Sequence, residues 1–232
     1  MTCLRVGDTL FPMQTTECEA IVLSAMDYGE ADRIVTLFTR EHGKLRGIAR
    51  NGKKSVKRFG PSFEIFARIR ISLVLKEGLC SLRSADVVTV WPRIRGELER
   101  IGYAGYACEL VDRFIPEALP VPRLYRLLCA YLEYLDASFP PCADDRRFFE
   151  VNLLNIVGYR LSLDSLGGDM GPVRDATFDT LKKAMETGRF GVIRFSLQSL
   201  EEAGKILDES IAAHLTRPLM SLHFLREVKV VH

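Results

Sequence analysis

The chain has 232 residues, 47% of them hydrophobic and 27% charged, with a formal net charge of +2. This composition excludes a disordered chain and supplies enough apolar surface for two small cores. No apolar run approaches the roughly 18 residues that cross a bilayer. Met1–Cys18 lacks the basic start and apolar stretch of a signal peptide, so the protein is expected in the cytoplasm.

Residues 1–18 read as a poorly ordered extension, with Met13 a candidate true start. From Glu19 the chain reads as short β-rich runs at Ala20–Ala25, Arg33–Thr39, Lys44–Arg50, Phe63–Leu73 and Leu79–Val90. Between them lie Tyr28-Gly29-Glu30, His42-Gly43, Asn51-Gly52 and Glu77-Gly78, residues suited to turns. Five short strands within residues 19–90 predict a small barrel, either an OB-fold or an SH3-like barrel. After Trp91-Pro92 the period becomes helical. Leu98, Ile101, Gly105, Cys108, Val111 and Ile115 share one helix face, which Pro116, Pro120 and Pro122 end. Further helices are predicted over Leu124–Phe139, Phe148–Leu163, Ala176–Thr187 and Ser199–Leu215. The third long one is apolar on most sides and so is the central buried helix. The last opens on Ser199 and Glu202 at capping-box spacing. The fold class is α+β: a five-stranded β-barrel, then an all-α helical domain over residues 91–232.

Charge is distributed unevenly. Residues 1–90 hold 14 Lys/Arg against 10 Asp/Glu, whereas residues 91–232 hold 18 against 20. Between Lys44 and Arg58 lie seven cations, Lys44, Arg46, Arg50, Lys53, Lys54, Lys57 and Arg58, with no acid among them. Cations at this density suit a phosphate backbone, since each contact releases condensed counterions. Strand alternation over Phe63–Leu73 puts Phe63, Ile65, Ala67, Ile69, Ile71 and Leu73 on the core side. It leaves Phe66 outside with Arg68 and Arg70, an aromatic beside two cations as single-strand binders use. A basic loop, a basic strand face and a barrel point to nucleic acid. A protein scaffold and an RNA binder remain alternatives, because nothing here reads or excludes a 2′-hydroxyl.

Signals for catalysis are thin. Gly47 to Lys53 matches G-x-x-x-x-G-K, but Lys54 stands where a magnesium-holding Ser or Thr belongs, and no helix pattern follows. The four histidines form no motif, and His214 suits a helix end, where a cation meets exposed carbonyls. Asp144-Asp145 and Glu201-Glu202 sit at predicted helix starts. Cys3, Cys18, Cys80, Cys108, Cys129 and Cys142 include no close pair and read as small buried hydrophobes. The expectation is a protein without catalytic residues, metal or cofactor.

Several motifs carry a resemblance. Glu19-Ala-Ile-Val-Leu, Tyr28-Gly29-Glu30-x-Asp32-Arg33, Thr39-Arg40-x-x-Gly43-Lys44 and Gly47-Ile-Ala-Arg resemble the amino-terminal domain of the RecO family. Glu109-Leu-Val-Asp-Arg113, Leu153–Leu163 and His214-Leu-x-Arg-Pro-Leu-x-Ser221 are similar to its helical domain. The resemblance implies an OB-fold plus a helical domain that binds single- and double-stranded DNA and anneals complementary strands. It also implies work with RecR and single-strand-binding protein to load RecA in the RecF pathway, at the nucleoid. The family's basic positions fall on Arg46, Arg50, Lys53, Lys54, Lys57 and Arg58. About five phosphate contacts would give a log–log salt slope of about −3.5 on single strands. Lys53, Lys54, Lys57 and Arg58 changed together to Glu are expected to abolish binding and spare the fold. Many members carry two C-x2-C pairs after the central helix. Here residues 164–172 are Asp-Ser-Leu-Gly-Gly-Asp-Met-Gly-Pro, so zinc is not expected. Arg113, Arg123 and Arg126 read as ordinary surface arginines of a domain that docks proteins.

Overall fold

The computed structural model describes residues 3–6, 9–12, 15–137, 140–159 and 172–230. Met13, Leu161–Leu163 and the loop 164–171 therefore lie outside the described residues. The chain divides into two compact units, Met1–Val90 with Ile115–Pro122, and Trp91–Phe114 with Arg123–His232.

In the first unit β1 (Cys3–Val6) and β2 (Thr9–Pro12) pair as a separate hairpin. A closed barrel follows from β3 (Thr15–Tyr28), β4 (Asp32–Thr39), β5 (Gly43–Ala49), β6 (Arg68–Val74) and β7 (Leu79–Thr89), in the order β3-β4-β5-β7-β6. All pairings are antiparallel except β5 with β7. This is the five-stranded OB-fold. The first barrel strand begins five residues before the expected Ala20 and pairs from Thr15 opposite Val74. An apolar run marked only its doubly buried centre, while Thr15–Glu19 is a half-exposed stretch with Cys18 turned inward. The inward residues Val22, Val35, Leu37, Ile69, Ile71, Leu73 and Leu82 form one core. Each contributes roughly 1.5–3 kcal/mol on burial.

The predicted strand over Phe63–Leu73 is shorter than expected. Residues 56–67 instead make α1 (Val56–Phe59) and a series of turns, and the strand starts at Arg68. Phe59 and Phe63 pack with tilted rings, centres 5.0 Å apart, within the barrel core. Phe66 has φ +75°, and its N–H donates to Val22 O at 2.9 Å where β3 bulges. This conformation inverts the predicted faces: Ile65 is 47% exposed and Phe66 only 8%. Period-two alternation holds from Arg68 onward, with Arg68, Arg70 and Ser72 outside.

The β4–β5 turn has its own fastening. Thr39 Oγ1 donates to Gly43 O and accepts from His42 N–H, both at 2.9 Å. Gly43 has φ +67°, and a Cβ there would collide with the backbone of Leu119. That contact comes from Ile115–Pro122, a strap along the start of β5 whose Ala118 N–H donates to Lys44 O at 2.8 Å.

The second unit comprises α2 (Pro92–Gly96), α3 (Leu98–Phe114), α4 (Pro122–Ala137), α5 (Ala143–Ile156), α6 (Pro172–Thr187), α7 (Leu197–Ala212) and α8 (Met220–Val230). Helix α5 is buried on most sides, through Phe148, Phe149, Val151, Leu153 and Leu154, and also through the charged Arg147 and Glu150. Asp144 and Asp145 do occupy its first turn. They hold the stretch before α7, since Gly191 N–H donates to Asp145 and Phe195 N–H to Asp144. Helix α7 is capped by Ser196 rather than Ser199. Ser196 Oγ accepts from Ser199 N–H at 3.1 Å, so Glu201 and Glu202 fall in the second turn. His214 Nδ1 lies 2.7 Å from Ser210 O at the end of this helix.

Helix α8 was not expected. Its amino end is capped from α3: Glu109 accepts from the N–H groups of Met220 (3.2 Å) and Ser221 (2.9 Å), and from Ser221 Oγ at 2.6 Å. A carboxylate suits that end of a helix, where backbone N–H groups and the dipole both favour negative charge. Glu109→Ala is expected to lower stability by about 1–2 kcal/mol. Amide hydrogen exchange should quicken over 220–230 while the barrel strands keep their protection.

Candidate nucleic-acid interface

The basic segment begins on β5, whose alternation turns Leu45, Gly47 and Ala49 inward and Lys44, Arg46 and Ile48 outward. Gly47 is therefore a strand residue packed on Leu82, and the G-x-x-x-x-G-K match spans a barrel strand rather than a phosphate-cradling loop. Beyond Ala49 the chain turns through Asn51 at φ +56° and is bolted to the β3–β4 hairpin. Asn51 N–H donates to Asp32 Oδ1 at 2.8 Å, and Lys53 N–H to Ala31 O at 3.0 Å. Lys53 Nζ donates to Gly29 O at 3.0 Å and lies 3.2 Å from Asp27. Asp27 also accepts from Arg33 at 3.1 Å. Hydrogen bonds from Arg33 and then Lys53 hold its carboxyl below the usual carboxylate range.

The seven cations thus separate into kinds. Lys53 clamps the hairpin. Arg58 ties the loop to itself, donating to Arg50 O at 2.7 Å and Ser55 Oγ at 2.9 Å, with its guanidinium 5.0 Å from the Phe59 ring centre. Lys44 is half-buried beside the strap. Arg46, Arg50, Lys54 and Lys57 are exposed, and among the described residues no ion pair engages their side chains. Changing Lys53 and Arg58 to Glu removes these ties, so it is expected to loosen the loop as well as to reverse its charge. Arg68 and Arg70 flank Glu19 at 3.6 and 3.9 Å, and Arg70 also stands opposite Asp86. Their charge is largely balanced, and β7 separates their strand from β5. Phe66 is buried and off the strand, so it offers no ring to a base in this conformation.

Strand register shows what else shares the outer face of β3, β4 and β5. Ser24 opposes Thr36, which opposes Arg46; Met26 opposes Ile34, which opposes Ile48; Tyr28 opposes Asp32. Directly opposed residues of a sheet share a face. In OB-folds the second and third strands, with the loops after the first and fourth, take up oligonucleotides. Those elements are β4, β5, the turn at Gly29–Ala31 and the turn at Leu75–Gly78. Near the latter a groove of about 610 Å³ is lined by both signs of charge, Lys44, Arg46 and Lys76 with Glu41, Glu77 and Glu117. Sequence reading passed over Met26 and took Tyr28 as hairpin structure first, although their spacing on a hairpin arm carries the signal of large side chains alternating toward solvent.

Among the described residues no helix is long and apolar enough to cross a membrane, and no three His, Cys, Asp or Glu side chains converge as a metal site. Cys18, Cys80 and Cys108 are buried, and burial pushes the Cys18 thiol up to about 12.

Comparison with known proteins bears on this geometry. The family models for the amino- and carboxy-terminal parts of recombination protein O match residues 13–91 and 95–168. A DNA repair protein RecO of Geobacter metallireducens is 51% identical, over 94% of this chain and 99% of that protein. That of Geobacter sulfurreducens is 50% identical over 93% and 99%. A more distant RecO, from Syntrophotalea carbinolica, keeps 31% identity over 93% and 96%. With both family models in chain order and identity at this level over nearly the full length, this chain belongs to the RecO family of DNA repair proteins.

Proposed function

We propose that the protein is a non-catalytic recombination mediator. It binds single- and double-stranded DNA on the barrel, anneals complementary strands, and with RecR helps load RecA where single-strand-binding protein covers the DNA. The observation that carries this reading is the set of exposed cations Arg46, Arg50, Lys54 and Lys57, without an ion-pair partner among the described residues, on one strand and loop of an OB-fold. Annealing is slow because two polyanions repel each other, and a cationic barrel lowers that repulsion. Nothing in such a mechanism needs a covalent step. The helical domain then serves for docking RecR and single-strand-binding protein.

The test is annealing of two complementary oligonucleotides, with EDTA present and no nucleotide, across a salt series. Acceleration that fades with salt is expected. The single-strand binding slope should be about −3, for about four phosphate contacts, because Lys53 and Arg58 are engaged within the loop. A salt-independent affinity, or folded protein that accelerates nothing, would overturn the proposal.

A further inference from the structure

Near the tip of the β3–β4 hairpin, Tyr28 is 54% exposed and Met26 57%. Large apolar side chains side by side in water are costly unless something covers them, and such exposure marks a contact surface. Three observations give its occupant. The basic loop is fastened to this hairpin, with Lys53 Nζ on the carbonyl of Gly29, the residue after Tyr28. Register continues the apolar row from Met26 through Ile34 to Ile48, with Arg46 in the next row. The face thus combines a ring, an apolar floor and cations for a backbone, which is how single-stranded nucleic acid is held without sequence preference. Finally, Phe66, the aromatic that sequence would place in this role, is buried.

We propose that Tyr28, supported by Met26, is the platform on which an unpaired base stacks, while Arg46 on the same face and the exposed cations of the adjoining loop hold the flanking phosphates. The inference rests on the DNA-binding reading above and adds a source of preference for single strands. Bases in a duplex already stack on each other and offer no free face to Tyr28. A strand held with its bases splayed is also kept from folding on itself, so the platform favours annealing.

The experiment compares wild type, Tyr28→Ala, Tyr28→Phe and Met26→Ala on a fluorescein-labelled oligothymidylate and on a duplex of equal length, over a salt series. A 2-aminopurine oligonucleotide reports stacking directly. Tyr28→Ala should weaken single-strand binding by about tenfold or more, the worth of stacking one base. Duplex affinity and salt slope should stay unchanged, the 2-aminopurine signal should be lost, and Tyr28→Phe should restore it. Wild type that binds DNA while Tyr28→Ala binds equally well sinks this inference and leaves the proposed function standing. Wild type that binds no DNA sinks both. Equal loss on single strands and duplex with a lower unfolding midpoint assigns Tyr28 to the hairpin's own stability and overturns the platform. A wild-type dimer that Tyr28→Ala dissolves, with DNA binding intact, overturns it in favour of a second copy. Lost capture of RecR with DNA binding intact overturns it in favour of a protein contact.

Discussion

Arg46, Arg50, Lys54 and Lys57, changed together to Glu, are expected to abolish DNA binding and annealing in gel-shift and fluorescence assays and to leave the thermal unfolding midpoint close to wild type. These four side chains are exposed and serve no partner among the described residues, so their loss removes little from the fold. Each phosphate neutralised contributes about 0.7 to the salt slope on a single strand, so single substitutions should lower the slope stepwise. Reversal goes further, because four carboxylates repel the strand that four cations attracted. The contrasting set is Lys53 and Arg58, which hold Gly29 O and Arg50 O respectively. Substituting those two should lower both affinity and stability. An inert four-site reversal would move the DNA off this surface altogether.

Glu150→Ala is expected to cost about 3–5 kcal/mol of stability, read as a lower urea midpoint at unchanged slope. Glu150 is fully buried on α5. It accepts from Tyr106 OH at 2.6 Å and Arg147 at 2.7 Å, and Arg146 lies 3.3 Å away. Truncation strands a phenol and two guanidiniums, with only the half-exposed Asp208 still on Arg147 at 2.7 Å. Burial and the Glu150 carboxylate both push the Tyr106 phenol well above its ordinary range, so it stays a donor at any working pH. Replacing Arg147 and Glu150 together by Met and Leu should cost less than Glu150→Ala, since one guanidinium, that of Arg146, rather than two is left without the Glu150 carboxylate. Gly204 tests the same packing: a Cβ there would meet the Arg147 guanidinium at 2.8 Å.

Much of this was legible in the sequence, for local reasons. Period-two runs between Gly-containing turns gave the five strands, and the change to a helical period after Pro92 gave most of the helices. The failures are tertiary. Phe63 to Ala67 continues the alternation of a strand, and only the bulge in β3, which takes Phe66 N–H on Val22 O, makes that segment a barrel plug. Helix α8 depends on Glu109, more than a hundred residues earlier. Within the basic run, Lys53 and Lys54 look alike as letters, yet one meets a carbonyl across the hairpin and its neighbour meets water. Cation density was readable, but the division between fastening and free cations was not, because backbone carbonyls leave no mark in a sequence.

The strap of Ile115–Pro122 has a consequence for synthesis. The chain leaves the barrel after Val90, builds α2 and α3, and only then returns to lay Ala118 against Lys44 and Leu119 over Gly43. A nascent chain with every barrel strand already outside the ribosome therefore still lacks the wall that β5 requires at its start. A fragment cut at Val90 keeps the closed barrel but leaves the start of β5 uncovered, whereas one that keeps residues through Pro122 carries its own lock.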